Sequence, residues 1–293
     1  EGGDNLEKEK VLRWAKDILG RDIEYVGANI LYDMEWLRAY DIEVKGTLRD
    51  IQVAEPLINE ESPQGYSLAV LAKRYLGEDK NEDLLIEAAR AHGVDPKGGL
   101  WKLPARFVGP YAEADADLPY NIYLRQIQKL KNQDLWDIFE LESKLIRVIL
   151  DMRFRGVAID LNKAEELNEK YKTEEVNILK SIRKESGMLV EPWSGDDLKR
   201  AFDKVGIWYP TTAKGNASFV SDWLNNHEQE LPRLIGKFRK TCKMRRDFIE
   251  GICIKQNHNG RIHAQFHALR KDSDGTRTGR FSSSTPNLQQ IPA

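Results

Sequence analysis

Two pairs of side chains in the first half of the chain stand four residues apart: Asn29 with Asp33, and Tyr111 with Asp115. On a helix this spacing stacks both members of a pair on one face. Carboxylates converging from two such helices would bind hard divalent cations, and two such ions can stabilise the attacking and the leaving oxygen of a phosphoryl displacement. A tyrosine hydroxyl beside them could orient the attacking water. Ordinary solvated helices carry many such pairs too, so spacing alone leaves both readings open. A third candidate closes the sequence: Thr276-Arg-Thr-Gly-Arg-Phe-Ser-Ser-Ser-Thr-Pro-Asn-Leu-Gln-Gln-Ile-Pro-Ala293. Here a glycine permits close backbone approach, Arg280 offers a bidentate fork, and Ser, Thr, Asn and Gln groups can meet sugars and phosphates. A plain Gly/Ser loop is the bland alternative.

The elements that must position these groups fall into three parts. Up to about residue 130, short apolar runs (Ile23 to Gly27, Thr47 to Ile51) alternate with helical periodicity (Asp33 to Tyr40, Ser67 to Leu76), which predicts an α/β layer. From about 131 to 250 the pattern predicts long amphipathic helices over Asp134 to Arg155, Leu161 to Ser186 and Glu230 to Ile254. Ser194 stands where an N-cap belongs, ahead of a short helix and a Pro/Thr/Gly loop. After the turn signal Asn257-His-Asn-Gly260, the run Arg261 to His267 alternates like a strand, and Gly275 to Ala293 shows no regular pattern. Internal repeats and low-complexity tracts are absent.

At 293 residues, 41% hydrophobic and 31% charged, the sequence suits roughly two globular domains. It has neither a signal-peptide pattern nor a run approaching the roughly 18 apolar residues of a spanning helix, which predicts a cytoplasmic protein with no membrane partner. Cys242 and Cys253, in a run read as helix giving way to strand, lack zinc spacing and are expected as free thiols. The net charge of -2 hides a polarity: from Gly236 to Arg280 twelve Lys/Arg face four acids. That cluster favours phosphate contacts through counterion release, with a solvated helix face as the alternative.

The run Val26-Gly-Ala-Asn-Ile-Leu-Tyr-Asp-Met-Glu-Trp-Leu, followed by Gly46-Thr-Leu-Arg-Asp-Ile, resembles the second exonuclease motif of the DnaQ-like proofreading domain of DNA polymerase I. Tyr111-Ala-Glu-Ala-Asp-Ala-Asp resembles its third. The closing segment resembles the family A polymerase segment that joins thumb to palm and grips the primer-template duplex. Arg261-Ile-His-Ala resembles the strand before it, Glu140-Leu-Glu-Ser through Gly156-Val-Ala-Ile-Asp160 the entry to the thumb, and Thr211-Thr-Ala-Lys-Gly-Asn-Ala-Ser218 the loop near its tip.

The resemblance implies an α/β exonuclease (DnaQ/RNase H-like) portion over 1–130, a mainly α-helical thumb over 131–256, and the first strand of the palm within 257–293. It implies that Asp33 and Asp115 are metal ligands for Mg2+ or Mn2+, that Tyr111 positions the nucleophilic water, and that Asn29 contacts the primer strand. Arg280 would reach the minor groove, where readout is nearly sequence-independent. Thr276, Asn287 and Gln290 would add contacts to DNA, and Lys214, Ser218, Lys240 and Lys243 would line the duplex-facing side of the thumb. The family's Asp-x-Glu motif has no counterpart in this sequence, which predicts weakly held metal and little exonuclease activity. Nor do the catalytic aspartates of the palm or the fingers lysine occur. The expected function is therefore part of a DNA-directed DNA polymerase, of phage-like layout, working on primer-template DNA with a separate palm-fingers polypeptide or as a piece of a longer chain. The alternative is a non-catalytic DNA-binding module.

Overall fold

A computed structural model describes residues 6–78, 82–96, 98–268 and 279–292. The chain divides into two compact units, Glu1–Phe154 with Gln265–Asn287, and Arg155–Ala264 with Leu288–Ala293.

The first unit opens with α1 (Lys8–Leu19), then β1 (Glu24–Gly27), α2 (Ile30–Ala39) and β2 (Thr47–Asp50). The two strands pair in parallel, Glu24 opposite Thr47 and Gly27 opposite Asp50. Helices α3 (Ile51–Ile58), α4 (Leu68–Leu76), α5 (Asp83–Ala91), α6 (Ala105–Asn132) and α7 (Trp136–Arg155) follow. Local signals set several of these ends. The Ser67 hydroxyl accepts from the Val70 N–H to start α4, and Gly77, at φ 73°, ends it in the left-handed region that glycine enters without cost. Ile51, Leu71, Ile122, Leu130 and Phe139 fill one apolar core. A second, with Ile30, Leu31, Met34 and Leu48, packs α2 and β2 against Ile146 and Ile149 of α7.

Two buried polar networks tie these helices together. Glu55, almost wholly enclosed, accepts from Arg74 (2.6 Å), the Tyr75 hydroxyl (2.6 Å) and Gln126 Nε2 (2.9 Å), joining α3, α4 and α6. Arg49 of β2 pairs with Glu24 (2.9 Å) and Glu140 (2.6 Å), and its guanidinium lies 5.4 Å from the ring centres of both Trp136 and Phe139. Such buried charges are tolerable because every one of them is answered by an opposite charge or a hydrogen bond.

In the second unit β3 (Val157–Ala158) pairs with the later strand β4 (Arg261–Ile262). Between them lie α8 (Leu161–Ser186), α9 (Gly195–Val205), α10 (Ser221–Asn225), α11 (Glu230–Lys243) and a π-helical stretch, Met244–Ile254. Asp160 caps α8 and Ser194 caps α9 through the N–H groups of Lys163 (2.9 Å) and Asp197 (3.3 Å). Leu198, Phe202, Leu224, Ile235 and Phe238 form the core of this unit. Cys242 and Cys253 are free thiols, and both lie in helix ahead of the strand β4. The last two strands, β5 (Gln265–His267) and β6 (Ser282–Ser284), pair antiparallel within the first unit. A strand at Ser282 corrects the expectation of an irregular terminal segment. Among the described residues no helix is long and apolar enough to cross a membrane.

Candidate functional site

The parallel strands end side by side, and their C-terminal ends carry the candidate chemistry, as expected for a crevice at the end of an α/β sheet. Just past β1 the chain turns at Asn29, whose backbone is left-handed (φ 57°, ψ 44°). Asp50, at the end of β2, holds that turn: its Oδ1 accepts from the Asn29 N–H (3.1 Å) and its Oδ2 from the Ile30 N–H (3.0 Å). The same carboxylate caps α3 by accepting from the Gln52 N–H (2.8 Å). Asp50 is buried. Aspartate suits an N-cap, whereas the clamp across the other turn joins residues too far apart in the chain to be visible in a local pattern.

One turn beyond Asn29, Asp33 stands on the outward face of α2. The residue is exposed as a whole, but the protein packed around its carboxyl and, to a lesser degree, the nearby charges of Asp50 and Asp115 push its pKa up to about 6; its own backbone hydrogen bond acts in the opposite sense. Desolvation is the largest cause. Asp115 thus lies close enough to Asp33 for their charges to interact, although one carboxylate rides on α2 and the other on α6. Tyr111 sits one turn before Asp115 on α6 and lines a hollow of about 750 Å³ that also touches Leu84, Phe107 and Asp117. Crowded carboxylates of this kind favour a proton or a cation between them. Among the described residues, however, no group of three or more His, Cys, Asp or Glu is arranged to hold a metal ion. The two oxygens of Asp50 are already engaged by backbone N–H groups, which leaves Asp33 and Asp115 as the candidate ligands.

The candidate DNA contacts are spread over both units. Arg280 is exposed, and Asn287 Oδ1 accepts from the Ser283 hydroxyl (3.4 Å), both in the first unit. Thr276 lies outside the described residues. In the second unit Lys214 is exposed in a loop closed by the Thr211–Ala217 bridge, where the Ser218 N–H donates to Pro210 O (2.8 Å). Lys240 and Lys243 are exposed on α11, and Gln290 is exposed in a 3-10 turn. The basic window from Gly236 is only partly available for phosphate. Arg245 is buried and bound to Glu175 (2.6 Å) and Glu250 (2.9 Å), while Arg239 donates to the carbonyls of Pro192 and Phe219, both at 2.8 Å.

Two family models match successive stretches of the chain. Residues 3–132 match the family model described as 3'-5' exonuclease, and residues 161–293 match the one described as DNA polymerase family A. Residues 161–293 belong to DNA polymerase family A. A DNA-directed DNA polymerase of Pseudomonas phage M6 is 37% identical, over 100% of this chain and 46% of that protein. DNA polymerase DpoZ of Acinetobacter phage SH-Ab 15497 is 28% identical over 96% of this chain and 49% of its own length. The chain therefore spans about half the length of the curated polymerases it matches. Among solved structures, the POL domain of Pol1 from M. smegmatis, in complex with DNA primer-template and dNTP, shares the fold with a TM-score of 0.68 at 18% identity, covering 98% of this chain and 45% of that one.

Proposed function

We propose that this chain supplies the 3'-5' proofreading fold and the duplex-gripping thumb of a DNA-directed DNA polymerase. The observation that carries this reading is the match of residues 3–132 to a 3'-5' exonuclease and of residues 161–293 to DNA polymerase family A, with Asp33 on α2 and Asp115 on α6 both inside the first of these stretches. In this reading Asp33 and Asp115 are two ligands of a divalent ion, Mg2+ or Mn2+, which when bound would neutralise charge developing on a scissile phosphate. Tyr111 would position the attacking water and Asn29 would contact the strand. Residues 1–130 would form the exonuclease portion, 131–256 the thumb, and 257–293 the start of the palm.

Primer-template DNA is the proposed partner, a reading supported by the fold shared with a polymerase domain solved on such DNA. Lys214, Ser218, Lys240 and Lys243 would contact it from the second unit together with Gln290, and Arg280, Asn287 and Thr276 from the closing segment. Nucleotide addition would depend on palm and fingers elements, carried on the same longer polypeptide or on a separate chain, in the bacterial or phage-infected cytoplasm. A second reading, a DNA-binding module without catalysis, is favoured by the lack of a three-donor metal group among the described residues.

Calorimetric titration of Mn2+ into the protein tests the site. Weak binding that disappears in Asp115→Ala and in Asp33→Asn is the expected result, accompanied by little hydrolysis of labelled single-stranded DNA. Binding unchanged by both substitutions would remove the proposed ligands. Robust hydrolysis abolished by Asp115→Ala would instead show that two carboxylates suffice and overturn the expectation of weak activity.

A further inference from the structure

The second unit joins α11 to β4 through Met244–Ile254, eleven residues wound as a π-helix. Such winding bonds each N–H to the carbonyl five residues back, and it is rare beyond a single turn inserted in an α-helix. Here the pattern runs on past the end of the stretch, where the Lys255 N–H donates to the Glu250 carbonyl at 2.9 Å.

The side chains repeat the same interval. Arg245 Nη1 pairs with Glu250 Oε2 at 2.9 Å, and Lys255 Nζ pairs with Glu250 Oε1 at 2.8 Å, which makes a ladder at i, i+5 and i+10. On an α-helix the facing partners stand three and four residues apart, and a residue five away is turned by about 140° at 3.6 residues per turn. The ladder therefore closes only in the π register. Its inner end is fixed from outside the stretch, since Glu175 of α8 accepts from Arg245 Nε (2.6 Å) and Nη2 (3.2 Å) in a buried fork. Its outer end is open, with the Lys255 side chain 66% exposed. Gly251 supplies an independent sign: a Cβ there would lie 2.8 Å from the Arg246 carbonyl oxygen, again five residues back.

We propose that Met244–Ile254 is a two-register hinge, held in the π register by the ladder and by Gly251 and passing to the α register when the ladder opens. Wound as an α-helix, eleven residues make about three turns over roughly 16 Å, whereas a five-residue bonding interval makes fewer, wider turns. The change of register therefore turns α11 against β4. Both flanks are anchored, α11 through Ile235 and Phe238 in the core and β4 through its pairing with β3. The slack falls to residues 255–260, where Asn259 and Gly260 hold positive φ (48° and 78°) in the turn before β4. The exposed outer rung makes the register sensitive to salt, which screens Glu250 and Lys255 but not the buried fork.

NMR of the isotopically labelled full chain tests the hinge through couplings across hydrogen bonds, which identify the carbonyl that each N–H of residues 244–255 meets. Wild type at low salt is expected to bond five residues back. Glu250→Gln should bond four residues back, as should Gly251→Ala, where alanine is also the stronger helix former, and both should keep cooperative unfolding. Lys255→Arg, which retains the rung, should keep the wild-type pattern, and high salt should move wild type toward the four-residue pattern. Four-residue bonding in wild type at low salt, five-residue bonding that persists in both Glu250→Gln and Gly251→Ala, or a wild-type pattern indifferent to salt would overturn the hinge. Loss of these bonds with a lower Tm in both variants would overturn it too, because the segment would then have one register and no alternative. Neither DNA nor metal enters the experiment, so its outcome is separate from the polymerase reading.

Discussion

Single residues in the first unit combine functional geometry with local strain on stability. Gly46 shows how little room the sheet leaves: a Cβ there would fall 1.7 Å from the carbonyl oxygen of Ile23, at the start of the parallel pairing. That oxygen also accepts from the Thr47 N–H at 3.0 Å, so it cannot simply swing away. Gly46→Ala is expected to destabilise the protein by about 1–3 kcal/mol, the usual cost of overpacking, read as a lower urea midpoint; an unaltered midpoint would contradict the close approach. Glu142 provides a pH-dependent case. It borders a small cavity with Asp50, Arg153 and His267, and burial raises its pKa. A carboxyl whose folded pKa exceeds the unfolded one favours the folded state only while protonated, so stability falls as pH rises from the ordinary glutamate range through the raised value. Glu142→Gln should therefore raise Tm at pH 7.5 and leave it nearly unchanged near pH 3. An equal shift at both pH values would point to packing rather than ionisation.

At the scale of elements, β2 is anchored by one side chain. Arg49 is 4% exposed and meets Glu24, Glu140 and two aromatic rings, so it fastens the strand to α7. Removing one member of a buried ion pair leaves the remaining charge unanswered and costs about 3–5 kcal/mol. Arg49→Ala should approach that loss in equilibrium unfolding, while Glu24→Gln, whose side chain is half exposed, should cost well under half as much; equal losses would refute the anchoring role. Elements with strong end signals were legible in the sequence. α8 runs from Leu161 to Ser186 as its periodicity implies, because Asp160 caps its start and Gly187 takes φ 63° at its end. Elsewhere the local pattern was insufficient. α2 begins at Ile30 rather than Asp33, since the apolar pair Ile30-Leu31 reads equally well as the end of a strand. The helix through Glu230 to Ile254 widens into a π-helix at Met244, and apolar spacing over so few turns does not separate the two periods. β6 is a run of three serines with no alternation, defined only by its partner strand β5. Asp33 and Asp115 were legible as two local pairs, but Asp50, the residue that fixes the turn before Asp33, joins segments some twenty residues apart.

For the whole molecule, affinity for DNA must be separated from the stability that basic residues also provide. The sequence concentrates positive charge between Gly236 and Arg280, yet the structure assigns part of it to internal bonding, with Arg245 held by Glu175 and Glu250 and Arg239 by two carbonyls. Lys240, Lys243 and Arg280 are the exposed members of that window proposed to face DNA. The two groups should respond differently to truncation. Arg280→Ala is expected to weaken primer-template binding by about 1–3 kcal/mol with little dependence on sequence, and Lys243→Ala to reduce the slope of log affinity against log salt by roughly 1, both without a change in Tm. Arg245→Ala should instead lower Tm, because it strands two carboxylates, one of them buried, and should weaken binding only as far as it unfolds the unit. Anisotropy titrations at several salt concentrations, paired with thermal unfolding of each variant, decide the matter. Should Arg280→Ala bind as tightly as wild type at moderate salt, the closing segment loses its role as a grip on DNA. Should Arg245→Ala change the salt slope while keeping its Tm, the buried pairing would be the wrong account of that arginine.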